Sequence, residues 1–353
     1  MWATSRPTPD GRIIAPTNER GTTTLPETQQ INPAAQSIAK GNWEIIDAPY
    51  PEMRSGDALV EYEIASICGS DLHIVNMGWN VDEWPLAPGY PGHEGVGCVI
   101  DTRSDDIAVG DRVLAVPHIW NSFGFARYQA VDAPHLLKLP NEGDAGEISL
   151  AQQLGTVIFA AMKLPQVFGQ TAVVMGQGSA GLFWDFVLKR LGVEQVISIE
   201  PVAHRRELGH QYGVDTSIDV TGDAATQAVM DLTGGNGADL VIEAVGSTAT
   251  LNQSFHVARD EGQVVLFGLP EGSGRVLFDF DTWFRKRISA FTRLGAQDEP
   301  GLASFAQALD WIVSGQIDVA PVISHRFPGT ETQHAFDVAQ AREEGVVKVG
   351  LEF

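Results

Sequence analysis

A short apolar run, Thr171-Ala172-Val173-Val174-Met175, leads directly into Gly176-Gln177-Gly178-Ser179-Ala180-Gly181, a helical pattern follows over Gly181–Leu191, and a second apolar run occupies Gln195–Ile199. Few folds accept that order. An apolar run bounded by turn residues suits a strand buried on both faces, and strand, helix, strand in succession makes a βαβ unit with a parallel pair. In such a turn the first glycine permits the tight bend, the second lets the backbone approach a pyrophosphate, and the third lets helix and strand pack closely. Ser179 and Ala180 open the helix, whose N-terminus faces the phosphates. Glu200 ends the next strand, about 20 residues on, where an acid holds a ribose. A carboxylate there accepts hydrogen bonds from both ribose hydroxyls of NAD and repels the 2′-phosphate of NADP, so NAD is expected and NADP is less favoured. His204, Arg205 and Arg206 carry the opposite signal. Arg205 is expected to contact the adenosine ribose or a 2′-phosphate, against the plainer reading of a solvated helix face.

The alternation continues with helices at His204–Tyr212 and Ala224–Leu232 and strands at Ala238–Ala244 and Gln263–Gly268, so this region is an α/β doubly wound parallel sheet. Upstream the pattern differs. Short strands are expected at Ala58–Ile64, Gly95–Ile100, Arg112–Val116 and Ala126–Val131, separated by Gly, Asp and Pro, which makes a mostly β domain. Residues 1–33 lack sustained periodicity and read as an N-terminal extension, while an amphipathic helix at Leu302–Val313 and the segments Ile317–Phe327 and Val346–Phe353 read as chain returning to the first domain. At 353 residues the chain is long enough for two cores.

A formal charge of −22 repels phosphate backbones and anionic lipid, so nucleic-acid and membrane partners are not expected. No stretch reaches the ~18 apolar residues of a membrane span. The two cysteines cannot build a disulfide framework, which favours a reducing, cytoplasmic setting. One of them opens Cys68-Gly69-Ser70-Asp71-Leu72-His73, and Gly92-His93-Glu94 follows. Thiolate and imidazole suit zinc, although a buried Cys and a lone turn His are ordinary core and loop residues when taken singly.

The order of these motifs, followed by Gly110-Asp111-Arg112-Val113, the glycine turn and Gly237-Ala238-Asp239 with Ile242-Glu243-Ala244-Val245-Gly246, resembles the zinc-dependent medium-chain alcohol and polyol dehydrogenases. Ile323-Ser324-His325-Arg326-Phe327 fits the same family. The resemblance implies a GroES-like catalytic domain, residues 34–164 and 301–353, around a Rossmann domain, residues 165–300. It also implies hydride transfer between an alcohol or carbonyl substrate and NAD, and a homodimer or homotetramer. Cys68 and His93 resemble zinc ligands, Asp71 the carboxylate that orients His93, and Ser70 with His73 a relay for the alcohol proton. Glu94 resembles a nearby base or alternate ligand, and Val245 and Gly246 resemble dinucleotide contacts.

The chain departs from the family twice. Where the family's structural zinc needs four cysteines, it has Pro117-His118-Ile119-Trp120-Asn121-Ser122-Phe123-Gly124, so one catalytic zinc per chain is expected. In the alignment of Ala151-Gln152-Gln153-Leu154-Gly155, Gln152 occupies the place of the third ligand, leaving a thiolate, an imidazole and a neutral amide. Cys98 is expected in the core, and His118, His135 and His325 on surfaces or loops. Trp79, Trp84, Tyr90, Trp120, Phe123 and Phe125 are expected either to approach the cleft or to fill the core. A zinc-free enone or quinone reductase of the same fold and a non-catalytic nucleotide-binding protein are the alternative functions.

Overall fold

The computed structural model describes residues 31–271, 274–343 and 345–353. In chain order the strands and helices of the first half are β1 (Ile31–Ala39), β2 (Asn42–Pro49), β3 (Asp57–Ile67), α1 (Gly69–Leu72), β4 (Gly95–Thr102), β5 (Arg112–Ala115), β6 (Tyr128–Asp132), β7 (Leu136–Lys138) and α2 (Ala145–Ala161). The second half contains β8 (Thr171–Met175), α3 (Ser179–Arg190), β9 (Gln195–Ile199), α4 (Ala203–Gln211), β10 (Thr216–Ile218), α5 (Gly222–Leu232), β11 (Ala238–Glu243), α6 (Thr248–Val257), β12 (Ala258–Leu266), α7 (Phe280–Arg285), β13 (Ser289–Thr292), α8 (Ala303–Val313), β14 (Ile323–Pro328), α9 (Thr332–Ala341) and β15 (Lys348–Glu352).

β10-β9-β8-β11-β12-β13 form one wholly parallel sheet. The order of strands reverses between β8 and β11, and the crevice outside their carboxyl ends is where such sheets bind ligands. Three residues of β8 and four of β11 are fully buried, as strands covered on both faces require. A seven-stranded sheet runs β14-β15-β3-β4-β5-β7, with β6 also pairing β3. β15 lies parallel to β14 and antiparallel to β3, so the last strand of the chain is internal to the sheet.

α2 links the two sheets. Asp144 caps it by accepting from the Glu147 amide at 2.9 Å, and Arg326 of β14 pairs with the same carboxylate. Leu150, Leu154 and Val157 of α2 share one core with Val174, Leu182, Trp184 and Phe305. A methyl on Gly155 would stand 2.4 Å from the Phe305 ring, so only glycine lets α8 close on α2.

Some expectations change here. Residues 31–33 begin β1 instead of ending an extension, and the remainder of the expected extension, residues 1–30, lies outside the described residues. The strand expected at Gln263–Gly268 is β12, which starts earlier at Ala258. His325 lies in β14, not in a loop, because pairing with β15 extends that strand. Among the described residues no helix is long and apolar enough to cross a membrane.

Candidate active site

β3 ends at Ile67, and the chain turns at Cys68 into the single turn α1. Asp71 fixes this corner, its Oδ2 accepting from the Cys68 amide at 2.8 Å. A π-helical turn, His73–Met77, continues α1 and stops at Gly78, whose positive φ of 76° suits glycine. The result is that Cys68, Ser70, Leu72 and His73 line one cleft.

His93 enters the same cleft from the segment before β4. Its Nδ1 lies 3.1 Å from Asp71 Oδ1 and 3.2 Å from the Pro91 carbonyl oxygen. These partners hold the proton on Nδ1, so Nε2 is the nitrogen a metal would take by displacing a proton, the arrangement of a metal-binding imidazole. Burial disfavours charge on His93, and the Asp71 carboxylate outweighs it, holding the ring well above its ordinary value. The ligand-type atoms of Cys68, His93 and Glu94 lie within 4.8 Å of one another. Glu94 is completely buried. Its Oε2 is held by Lys348 Nζ at 2.6 Å and by the Ser66 hydroxyl at 2.6 Å, whereas Oε1 has no partner. A thiol, an imidazole nitrogen with its opposite nitrogen tied back, and an orphaned carboxylate oxygen are the donor chemistry of a zinc site, so these residues fit the metal.

Gln152 and Gln153 both line the cleft from α2. Gln153 is the one hydrogen-bonded at the thiol, with Nε2 3.9 Å from Cys68 Sγ and Oε1 3.4 Å from Lys348 Nζ. Ser70 Oγ is 3.4 Å from His93 Nε2, and His73 Nδ1 is 3.2 Å from the Pro270 carbonyl oxygen of the parallel-sheet domain. Burial lowers His73 below its ordinary value, so the ring is neutral at neutral pH and able to take a proton. The two relay candidates share the cleft and point to different partners.

The glycine turn forms the opposite wall. Gly176 has φ 89°, Gly178 caps α3, and Gly181 packs so closely that a methyl there would sit 1.9 Å from the Gly176 carbonyl oxygen. Ser179, Ala180, Glu200, Arg205 and Val245 line the same cleft. Gly246, φ 87°, donates its amide to Glu243 Oε1 at 2.8 Å. Glu200 accepts from the Gln177 amide at 2.8 Å and from the Val202 amide at 2.9 Å, so it fixes the turn as well as facing the cleft. The basic cluster is committed within the protein. Arg205 is buried and donates to the Val346 carbonyl at 2.6 Å and 3.0 Å, and Arg206 donates to the Glu200 and Pro201 carbonyls at 2.9 Å and 2.7 Å.

The six aromatic candidates are not the lining. Trp120 packs at a tilt on Trp79, ring centroids 5.1 Å apart, and Phe125 is a core residue against Trp43 and Phe336. Trp84 and Tyr90 pack on that same core, and Tyr90 meets Phe123. The apolar walls of the cleft come from Ile119, Phe267, Leu269 and Leu294. Cys98 is half-buried and its thiol faces Glu63 at 3.7 Å. His118 pairs with Asp298 and His135 with Asp132, and neither histidine lines the cleft. Of the residues that tie Glu94 to Cys68, Gln153 stands beside Gln152 in the aligned segment and Lys348 carries no local motif. The only signal of Lys348 is that a lysine buried in a strand must meet an acid.

Residues 54–141 match the family model described as the alcohol dehydrogenase GroES-like domain, and residues 181–314 match that of the zinc-binding dehydrogenases. Over 333 residues the chain is 28% identical to L-threonine 3-dehydrogenase of Bacillus subtilis, covering 86% of this chain and 93% of that protein. The enzyme of the same name from Pyrococcus horikoshii is 29% identical over 335 residues, covering 86% and 94%. The fold superposes on the alcohol dehydrogenase of Thermus sp. ATN1 with a TM-score of 0.75 at 24% identity, covering 91% of this chain and 99% of that one. The chain belongs to the zinc-type medium-chain dehydrogenases, with the GroES-like domain and the dinucleotide-binding sheet of that family.

Proposed function

We propose that this protein is a zinc-dependent alcohol dehydrogenase that oxidises a secondary alcohol, polyol or sugar with NAD. The observation that carries the reading is the shared cleft, with Cys68, His93 and Glu94 on one wall and the Gly176–Gly181 turn on the other. When bound, zinc supplies a Lewis acid that lowers the pKa of an alcohol oxygen, and the dinucleotide supplies the hydride acceptor. Cys68 and His93 hold the metal in this reading. Gln152 supplies the third donor, and Glu94 Oε1 is the alternative.

Asp71 fixes the tautomer of His93 through Nδ1. Ser70 takes the substrate proton, and His73, neutral and anchored on Pro270, passes it outward through one bridging hydroxyl or water. Ile119 and Phe267 shield the reacting carbon from bulk water. Arg293 also lines the cleft, stacked on Phe291 at 4.5 Å with its Nε unpartnered, which favours substrates carrying a carboxylate or phosphate. Glu200 selects NAD over NADP by repelling a 2′-phosphate, and Val245 and Gly246 complete the dinucleotide side, with Arg205 held in the cleft wall by the Val346 carbonyl.

The substrate is a small molecule, and the setting is cytoplasmic. The protein works as a homodimer or homotetramer. Leu277, Phe280, Phe284 and Leu294 are all more than half exposed near β13, an edge strand of the parallel sheet, and a second copy would cover them. Light scattering reports the assembly. The deciding experiment for the activity is elemental analysis followed by an NAD-linked screen of polyols, sugars, L-threonine and other secondary alcohols, with and without a carboxylate or phosphate. One zinc per chain and turnover of an alcohol support the reading. Reduction of enones by metal-free protein would replace it with the zinc-free alternative.

A further inference from the structure

Asp185 lies on α3 four residues after Gly181, hence on the same helix face, and its side chain is completely buried. No sequence motif claims it. Both of its carboxyl oxygens lack a partner, and so does Oε1 of Gln177, the residue between the first two glycines of the turn. Gln177 is itself fully buried. Its backbone amide is held by Glu200, and its Nε2 lies 3.4 Å from the Gly176 carbonyl oxygen. Its Oε1 lies where a methyl on Gly209 would meet it at 2.5 Å, so the side chain fills the space between the turn, α3 and α4. Nε2 of Gln177 lies 3.4 Å from where a methyl on Gly181 would stand, one helical turn before Asp185, so the carboxamide and the carboxyl occupy the same buried corner.

Two unpaired acceptor groups in one dry corner can be satisfied by a single proton between them. A neutral carboxylic acid donates O–H to the amide oxygen, and its own oxygen accepts from the amide N–H. We propose that Asp185 is a positioning residue for the dinucleotide: as a neutral acid it donates to Gln177 and so sets the backbone of the Gly176–Gly178 turn that receives the pyrophosphate. The proposal rests on the dinucleotide reading given above.

Burial pushes the Asp185 carboxyl well above its ordinary value, with the Gln177 amide opposing only in part. Charged groups on the packed elements are engaged elsewhere. Lys189 of α3 pairs with Asp215, Glu200 after β9 holds the Gln177 and Val202 amides, and Arg205 of α4 holds the Val346 carbonyl. His210 of α4 faces the Val214 carbonyl, Tyr212 donates to the Asp318 carbonyl, and Glu147 begins α2 beside its cap. When Asp185 ionises, Gln177 loses its donor and the turn loses its support.

The experiment is NADH binding to the zinc-loaded protein, followed by fluorescence from pH 5.5 to pH 9, for wild type, Asp185→Asn, Asp185→Leu and the double variant Gln177→Leu/Asp185→Leu. Asp185→Asn keeps a donor and cannot ionise, so it should match wild type at low pH and lack the alkaline part of the wild-type weakening. Asp185→Leu should bind about tenfold more weakly at low pH, the worth of one lost buried hydrogen bond, and the double variant should recover most of that loss. If Asp185→Asn keeps the wild-type pH profile and Asp185→Leu binds NADH as wild type does, the proposal is overturned. Should Asp185→Leu not fold, the comparison of Asp185→Asn with wild type decides alone. Wild type that binds no NADH at any pH overturns the dinucleotide reading and this proposal with it.

Discussion

Lys348 is buried beside Glu94, and that pair shows what a single side chain does behind the cleft. Removing one partner strands the other charge in a dry environment, which costs about 3–5 kcal/mol, whereas replacing both leaves little net loss. Lys348→Met should therefore lower the urea midpoint strongly, and Lys348→Met with Glu94→Gln should restore most of it. Asp185 gives a second expectation, read as stability. Its pKa in the fold lies above the ordinary 3.8 because of burial. The folded state thus holds that proton more tightly than the unfolded chain, so the contribution is full at low pH and is lost as pH rises from 3.8 through the raised value. Asp185→Asn should raise the melting temperature at pH 8 and lose that advantage as the pH falls toward 4. That Cys68, Ser70, His73 and His93 share one cleft, with Asp71 on His93, was legible because they stand within two short motifs. The contact of Lys348 with Gln153 was not, since it spans 195 residues of chain, Lys348 stands in no recognisable pattern, and the aligned segment Ala151–Gly155 pointed to Gln152 instead of its neighbour.

At the scale of elements, β8, α3 and β9 lie where the apolar runs and the glycine turn placed them, within two residues at each end. Local chemistry sets those boundaries. Gly181→Ala would drive its methyl into the Gly176 carbonyl and push α3 from the turn. It should abolish detectable NADH binding and cost about 1–3 kcal/mol of stability by overpacking, read by titration and urea unfolding. α2 escaped the sequence reading for a physical reason. Its residues are buried on nearly every side, between two sheets and α8, so no amphipathic stripe announces a helix. The strand β13, the short α7 and the π turn after α1 depend on tertiary neighbours in the same way, and their sequences carry no period long enough to show them.

For the whole molecule, the two walls of the cleft belong to different sheets, so metal and dinucleotide binding should separate by mutation. Cys68→Ser and His93→Ala should each abolish turnover and leave the NADH dissociation constant within about twofold, checked by fluorescence titration beside elemental analysis. Full turnover in either would remove zinc from the reaction. The division into an α/β sheet and a β domain was legible because the hydrophobic period changes near residue 170, whereas the path by which the tail rejoins the first sheet was visible only as short apolar segments. That path governs the order in which the protein can be made. β15 sits between β14 and β3 and carries Lys348, so the sheet that supports Cys68 and the partner that neutralises Glu94 are both completed by a strand made well after the parallel sheet. The parallel sheet, ending at Thr292, can close while the tail is still being synthesised. A nascent chain therefore acquires its dinucleotide platform before the support of its metal pocket, and a chain stalled between Thr292 and Lys348 would expose a zinc-type thiol with an unneutralised acid beside it.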